Sequence, residues 1–181
     1  MAKNTKQRSA SFLGLLTAAV LAQARIVYVT YDGTDPAGTA WATPTSLTNA
    51  LAIAGEADEI WLAQGSYTNT ATFTVRTNCA VYGGFTTDMA TREERDWEAH
   101  PAILNGMGQN RRVVTVTGTN VVLDGLVITN SSGSAAGGIR KAVAGSLTLA
   151  NCRIMNHSAA QHGIGASFTA GSVVMTNCLV A

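Results

Sequence analysis

The feature that most constrains this chain is a pattern in its last third that recurs at a fixed interval. Val121-Val122-Leu123-Asp124-Gly125-Leu126-Val127-Ile128 aligns with Leu147-Thr148-Leu149-Ala150-Asn151-Cys152-Arg153-Ile154, and again with Val173-Val174-Met175-Thr176-Asn177-Cys178-Leu179-Val180. Leu123, Leu149 and Met175 are equivalent, and each stands 26 residues from the next. A fixed period between roughly 20 and 50 residues marks a solenoid, in which each repeat buries its apolar side against its neighbours.

The spacing inside a repeat says what kind of solenoid. Leu147 and Leu149 are two apart, then one residue is skipped, and Cys152 and Ile154 resume the alternation. Alternate residues of a strand share one face, so an extra residue would flip the apolar side outward unless the chain bends there. The residue at the bend is Gly125, Asn151 or Asn177, the types that best tolerate left-handed backbone. The chain therefore turns a corner with its apolar side kept inward, as in a closed β coil. A further strand of each coil falls at Val113 to Val116, with Gly138-Ile139 and Gly163-Ile164 opening the equivalents in the next two. Thr72 to Val75, Cys79 to Gly83 and Ala102 to Leu104 supply an earlier coil, interrupted before its third strand by an insertion over 85–101. The count is about four coils, a stack roughly 20 Å tall at the usual strand spacing.

An end coil exposes backbone edges and needs a cap. Leu47, Ala50, Leu51 and Ala54 form a helical stripe, with Thr45 or Ser46 as N-cap and Gly55 at the stop. Glu59 to Ala63 then reads as the first strand of the stack, with Ile60 and Leu62 inward. Nothing comparable caps the other end, so the stack is expected to continue beyond Ala181 or to associate end to end through Phe168, Val173, Met175, Cys178 and Val180. The division is thus 25–58 for a leading strand and capping helix and 59–181 for the coils.

Residues 1–24 stand apart from this fold. Lys3, Lys6 and Arg8 precede an apolar run from Phe12 to Ala22, and Ala22-Gln23-Ala24 places small residues where a signal peptidase cuts. The run is too short to span a membrane, so a secretory signal peptide is expected, with the mature chain starting at Arg25. Of the 181 residues only 13% are charged, 18 are glycine, and the formal net charge is +1. That balance leaves no basic footprint for nucleic acid. Export permits disulfides, but Cys152 and Cys178 stack one coil apart with parallel Cβ vectors, which suits two small buried hydrophobes better than a bridge.

From Arg25 onward the chain resembles secreted bacterial right-handed parallel β-helix repeat proteins of the pectate-lyase-like fold. The residues that carry this are Tyr28 to Asp35 with Gly38-Thr39-Ala40-Trp41-Ala42, Asp58 to Tyr67, and the stretch from Tyr82-Gly83-Gly84-Phe85 through Arg95-Asp96-Trp97 to Pro101-Ala102-Ile103-Leu104-Asn105-Gly106. Gly137-Gly138-Ile139 and Cys152 to His157 are similar to the repeats of polymorphic outer-membrane proteins and autotransporter passengers, with Ile154-Met155-Asn156-His157 where those have an aromatic-x-x-Asn unit. The resemblance implies an all-β, right-handed parallel β-helix with a short capping helix, secreted or at the cell surface. The fold it implies hosts lyases, hydrolases, adhesins and tailspikes alike.

Acidic-polysaccharide enzymes on that fold need carboxylates on the outer wall, for calcium or as an acid–base pair. Of the eleven acidic residues, all but Asp124 lie at or before Glu98, ahead of the later coils. A metal-free lyase would have to draw on Arg140, Lys141, Arg153, His157 and His162, which otherwise read as solvated wall and loop residues. Asp32 and Asp35 around Gly33 suggest a calcium loop, but two carboxylates fall short of the six to eight oxygens calcium takes, and an Asx turn explains them as well. Asp88 and the charged run Arg92 to Glu98 read as a short salt-bridged surface helix. The run is alternatively an interaction site with Trp97 as its ligand-binding anchor. Trp41 and Trp61 are candidate sugar-stacking platforms, Trp61 the better one if Ile60 is inward, each competing with packing beneath the cap or insertion. No cofactor is called for. The expected function is a non-enzymatic surface or secreted protein, acting as adhesin, passenger or glycan-binding scaffold on polysaccharide or a neighbouring cell. The alternative is a polysaccharide lyase or hydrolase whose active groups lie beyond residue 181.

Overall fold

The computed structural model describes residues 24–76, 78–133, 137–159 and 165–181. The signal-peptide reading, His162 and Gly163-Ile164 lie outside those residues, apart from Ala24. The described chain is all-β with one α-helix, and every strand pairing is parallel.

Three sheets account for it. The first contains β1 (Ile26–Val29), β2 (Glu59–Ala63), β5 (Ala80–Phe85), β8 (Val121–Asp124), β11 (Ser146–Ala150) and β15 (Ser172–Thr176). The second contains β3 (Gly65–Thr68), β6 (Ala102–Asn110), β9 (Leu126–Gly133), β12 (Arg153–Met155) and β16 (Leu179–Val180), with β13 (Ser158–Ala159) also pairing to β9. The third contains β4 (Phe73–Val75), β7 (Val114–Val116), β10 (Ile139–Lys141) and β14 (Ala166–Phe168). From β2 onward the chain visits first, second and third sheet in that order, again and again. Parallel neighbours within a sheet are therefore strands from successive passes.

The registers follow the sequence repeat. Leu123 pairs with Leu149 and Leu149 with Met175; Val127 pairs with Arg153 and Arg153 with Leu179. The third sheet departs from it. Ile139 pairs with Val114 on one side and with Ala166 on the other, so the equivalent of Gly138-Ile139 is Gly165-Ala166, not Gly163-Ile164. The 26-residue interval holds on either side of the corner at Gly125, Asn151 and Asn177. The connections around the third sheet vary in length by a residue. The sheet system also begins one strand earlier than expected, because β1 pairs along β2.

One core runs between the sheets. Val27, Ile60, Leu123, Leu126, Ile128, Ile139, Leu147, Leu149 and Ile154 are buried in it, and each side chain of this kind contributes roughly 1.5–3 kcal/mol by leaving water. The corner residues have positive φ, 72° at Gly125, 52° at Asn151 and 51° at Asn177, which is the bend that keeps both flanking strands apolar-side inward. At the N-terminal end lies α1 (Leu47–Ile53), capped by Ser46, whose Oγ accepts from the Asn49 N–H at 3.2 Å. Leu47, Ala50 and Leu51 are its buried stripe.

The charged run in the insertion is helical over a shorter stretch than the surface helix expected for it. Arg92–Glu94 form one turn of 3-10 helix, and a separate turn over 97–99 is closed by the His100 N–H donating to the Asp96 carbonyl at 2.8 Å. Glu94 folds back to accept from the Ala90 and Thr91 N–H groups, and Asp96 Oδ1 accepts from Glu98 and Ala99. The arginines reach down to the sheets instead of pairing along a helix: Arg92 meets Glu59 at 2.9 Å and Arg95 meets Asp124 at 2.6 Å.

Candidate functional site

The corner residues carry more than backbone geometry. Asn151 Nδ2 donates to Asp124 Oδ1 at 2.8 Å, and Asn177 Nδ2 donates to Asn151 Oδ1 at 2.8 Å. The side chains thus form a ladder across three passes of the chain. Arg95 closes its lower end as a bidentate partner of Asp124, at 3.1 and 2.6 Å, and its guanidinium lies 5.2 Å from the Trp97 ring centre. A Cβ on residue 125 would stand 2.9 Å from the Trp97 Cβ. Glycine is therefore the corner residue where the insertion crosses, and asparagine takes over above it, where the side chain can join the ladder.

Beside the ladder runs a groove lined by Trp97, Glu98, Asn151, Arg153, Asn177 and Leu179. Arg153 and Glu98 form an exposed ion pair at 3.6 Å across it. An amide offers two N–H donors and a carbonyl acceptor, and the ladder uses only part of that capacity at Asn151 and Asn177. An aromatic ring, amide donors and acceptors, and a screened ion pair suit a polyhydroxylated ligand that needs many weak polar contacts and one apolar face. Asp124 is committed to Arg95 and Asn151, which leaves it an acceptor within the ladder.

The candidates drawn from the sequence are scattered. Arg140 and Lys141 are adjacent in β10 and therefore point to opposite faces. Arg140 lies on the outer face between Thr115 and Ser167. Lys141 is a correction: it is fully buried, on the inward ladder of Val116 and Phe168, with Nζ donating to the Gly118 and Ala144 carbonyls at 3.3 and 3.2 Å. Two backbone carbonyls supply the acceptors that let an ammonium occupy a core position. That geometry removes Lys141 from the outer wall where a catalytic base would be needed.

His157 is half-buried between passes. Its Nδ1 lies 2.8 Å from Ser131 Oγ and accepts the Ser131 N–H at 3.3 Å, while Nε2 lies 3.0 Å from the Ile128 carbonyl. A carbonyl can only accept, so Nε2 carries the hydrogen and Nδ1 is the acceptor. Burial pushes its pKa below the usual histidine value, opposed by the bond to Ile128.

Trp61 is likewise corrected as a ligand platform. It is 3% exposed, stacked on Phe85 at 4.5 Å between ring centres and bonded through Nε1 to Glu59. Tyr28 and Trp41 complete that aromatic cluster beneath the insertion. Trp97, by contrast, does line a groove. Asp35 Oδ1 accepts from the Gly38 and Ala37 N–H groups, which lowers its pKa and makes the segment an Asx turn. Among the described residues no three His, Cys, Asp or Glu side chains cluster as a metal site would require, and no helix is long and apolar enough to cross a membrane.

No protein-family model, curated protein or solved structure matches this chain. Of the resemblance noted above, the structure supports parallel sheets with little helix. The Arg95–Asp124–Asn151–Asn177 ladder was missed in the sequence. The recurrence of asparagine at the corner meets a backbone requirement, and the same recurrence stacks the amides.

Proposed function

We propose that this chain is an exported right-handed parallel β-helix of about four coils, acting without catalysis as a glycan-binding scaffold, in the manner of an adhesin or passenger. The cyclic order of the sheets supports the helix, and the right-handed sense is the one that parallel strand–connection–strand units take almost without exception. The observation that carries the binding role is the Trp97 groove beside the amide ladder. The signal-like residues 1–24 support export, to the cell surface or beyond.

The test is a glycan array probed with the chain from Arg25 to Ala181. Binding of one glycan class, weakened at least tenfold by Trp97→Ala, is the expected result. The same preparation is expected to release no unsaturated uronide from pectate, polygalacturonate or alginate, with or without calcium. Turnover that vanished in Arg140→Ala would favour the enzyme reading instead, and an array with no retained glycan would remove the groove's proposed role. Mass spectrometry of exported protein is expected to find Arg25 at the N-terminus.

A further inference from the structure

We propose that a cleft ringed by Thr30, Tyr31, Asp32, Gln64, Thr86 and Thr87 is a second subsite, taking one neutral sugar ring stacked on Tyr31. It shares no lining residue with the Trp97 groove and stands independently of it.

Two observations point to a ligand there. Tyr31 is 65% exposed, while Tyr28, Trp41, Trp61 and Phe85 nearby in the chain or fold pack on one another. Its ring is not simply loose in solvent. It leans on Gly65, where a Cβ would stand 2.9 Å from Tyr31 Cδ1, so bare backbone sets the ring's position and leaves the rest of it open. The second observation is Thr30. Its residue is 8% exposed, yet the buried Oγ1 has no hydrogen-bond partner in the protein. Buried hydroxyls nearly always have one, and this one belongs to a residue that lines the cleft.

The remaining groups fix the ligand class. Gln64 Oε1 meets His100 Nδ1 at 3.1 Å, which leaves its amide N–H groups to donate. Asp32 brings a carboxylate, and no Lys or Arg lines the cleft. A carboxylate accepts from sugar hydroxyls but repels a uronate, so the site favours neutral sugars. The cleft volume of about 230 Å³ falls below the roughly 300–1,000 Å³ of sites that engulf drug-sized ligands, which suits one ring rather than a buried oligosaccharide.

The experiment is amide-resolved NMR titration of the chain from Arg25 with methyl β-galactoside, methyl α-mannoside and methyl β-glucuronide. Millimolar amounts of at least one neutral glycoside are expected to shift the Thr30, Tyr31, Asp32, Gln64 and Thr87 amides, and the glucuronide is not. Tyr31→Ala, at an exposed position that does not hold the fold, should weaken the response at least tenfold; Thr30→Val should weaken it severalfold; Trp97→Ala should leave it unchanged. Silence of these amides toward both neutral glycosides, or shifts that survive Tyr31→Ala, overturns the proposal. Glycan binding that depends on Trp97 with this cleft silent would sink the subsite and spare the groove.

Discussion

At the residue scale, His157 and Cys152 show how one side chain holds two passes together. His157 accepts from Ser131 and donates to Ile128 in its neutral form, and protonating Nδ1 removes the acceptor. Its native pKa is lowered from 6.5, so the unfolded chain binds the proton more readily. Stability from this group is present above about pH 6.5 and falls as pH drops through that value toward the native pKa. Thermal unfolding followed from pH 8 to 5 should show this decline, and His157→Gln should flatten it; an unchanged slope in the variant would remove His157 as the cause. Cys152 is buried at 1% exposure, and burial pushes its thiol up to about 12. It is thus a protonated, packed thiol. It should resist iodoacetamide until the chain is unfolded, and Cys152→Ala should cost about 1–2 kcal/mol in urea unfolding. Peptide mapping that joined Cys152 to Cys178 would contradict both statements.

At the scale of elements, the most buried ion pair that pins the insertion is Arg95 on Asp124, whose side chains are 11% and 13% exposed. Arg95→Ala should destabilise the chain by about 2 kcal/mol, as for hydrogen bonds to charged groups. It should also open residues 86–101 to protease before the sheets are cut. Equal protection in the variant would mean that the remaining anchors, Arg92 on Glu59 and the aromatic cluster, hold the insertion without it. This element was also the least legible in the sequence. Its charges alternate as on a surface helix, but tertiary partners on β2 and β8 claim the arginines, and a helical period cannot survive that pull. The capping helix was legible because Ser46, the Leu47–Ala50–Leu51 stripe and the stop near Gly55 are all local signals. Lys141 departs from the solvated wall position expected of it because composition gives no hint of the two carbonyls that accept its amine inside. In the candidate site Trp97, Arg153 and the corner asparagines were legible one by one, but their convergence was not: the ladder and the Tyr31 cleft join residues far apart in sequence, brought together by stacking.

At the scale of the whole molecule, charge and burial both thin out along the stack. No Lys, Arg, Asp or Glu follows Arg153, and inward residues of the last strands remain open, with Met175 at 41% and Val180 at 47% exposure. β14, β15 and β16 each form the edge of their sheet, without the charges that usually guard such edges. In a polypeptide of these 181 residues, amides of β14–β16 should exchange with solvent faster than those of β8–β12, with protection rising as concentration increases. Uniform, concentration-independent protection would mean that this edge is stable by itself. The central claim is that successive passes stack in parallel at a 26-residue interval on both sides of the asparagine corner. Backbone nuclear Overhauser contacts test it most directly. Parallel-strand contacts are expected to link Leu123 to Leu149, Leu149 to Met175, Val127 to Arg153 and Arg153 to Leu179; antiparallel contacts, or strong helical contacts within 121–128 and 147–154, would rule this stacking out.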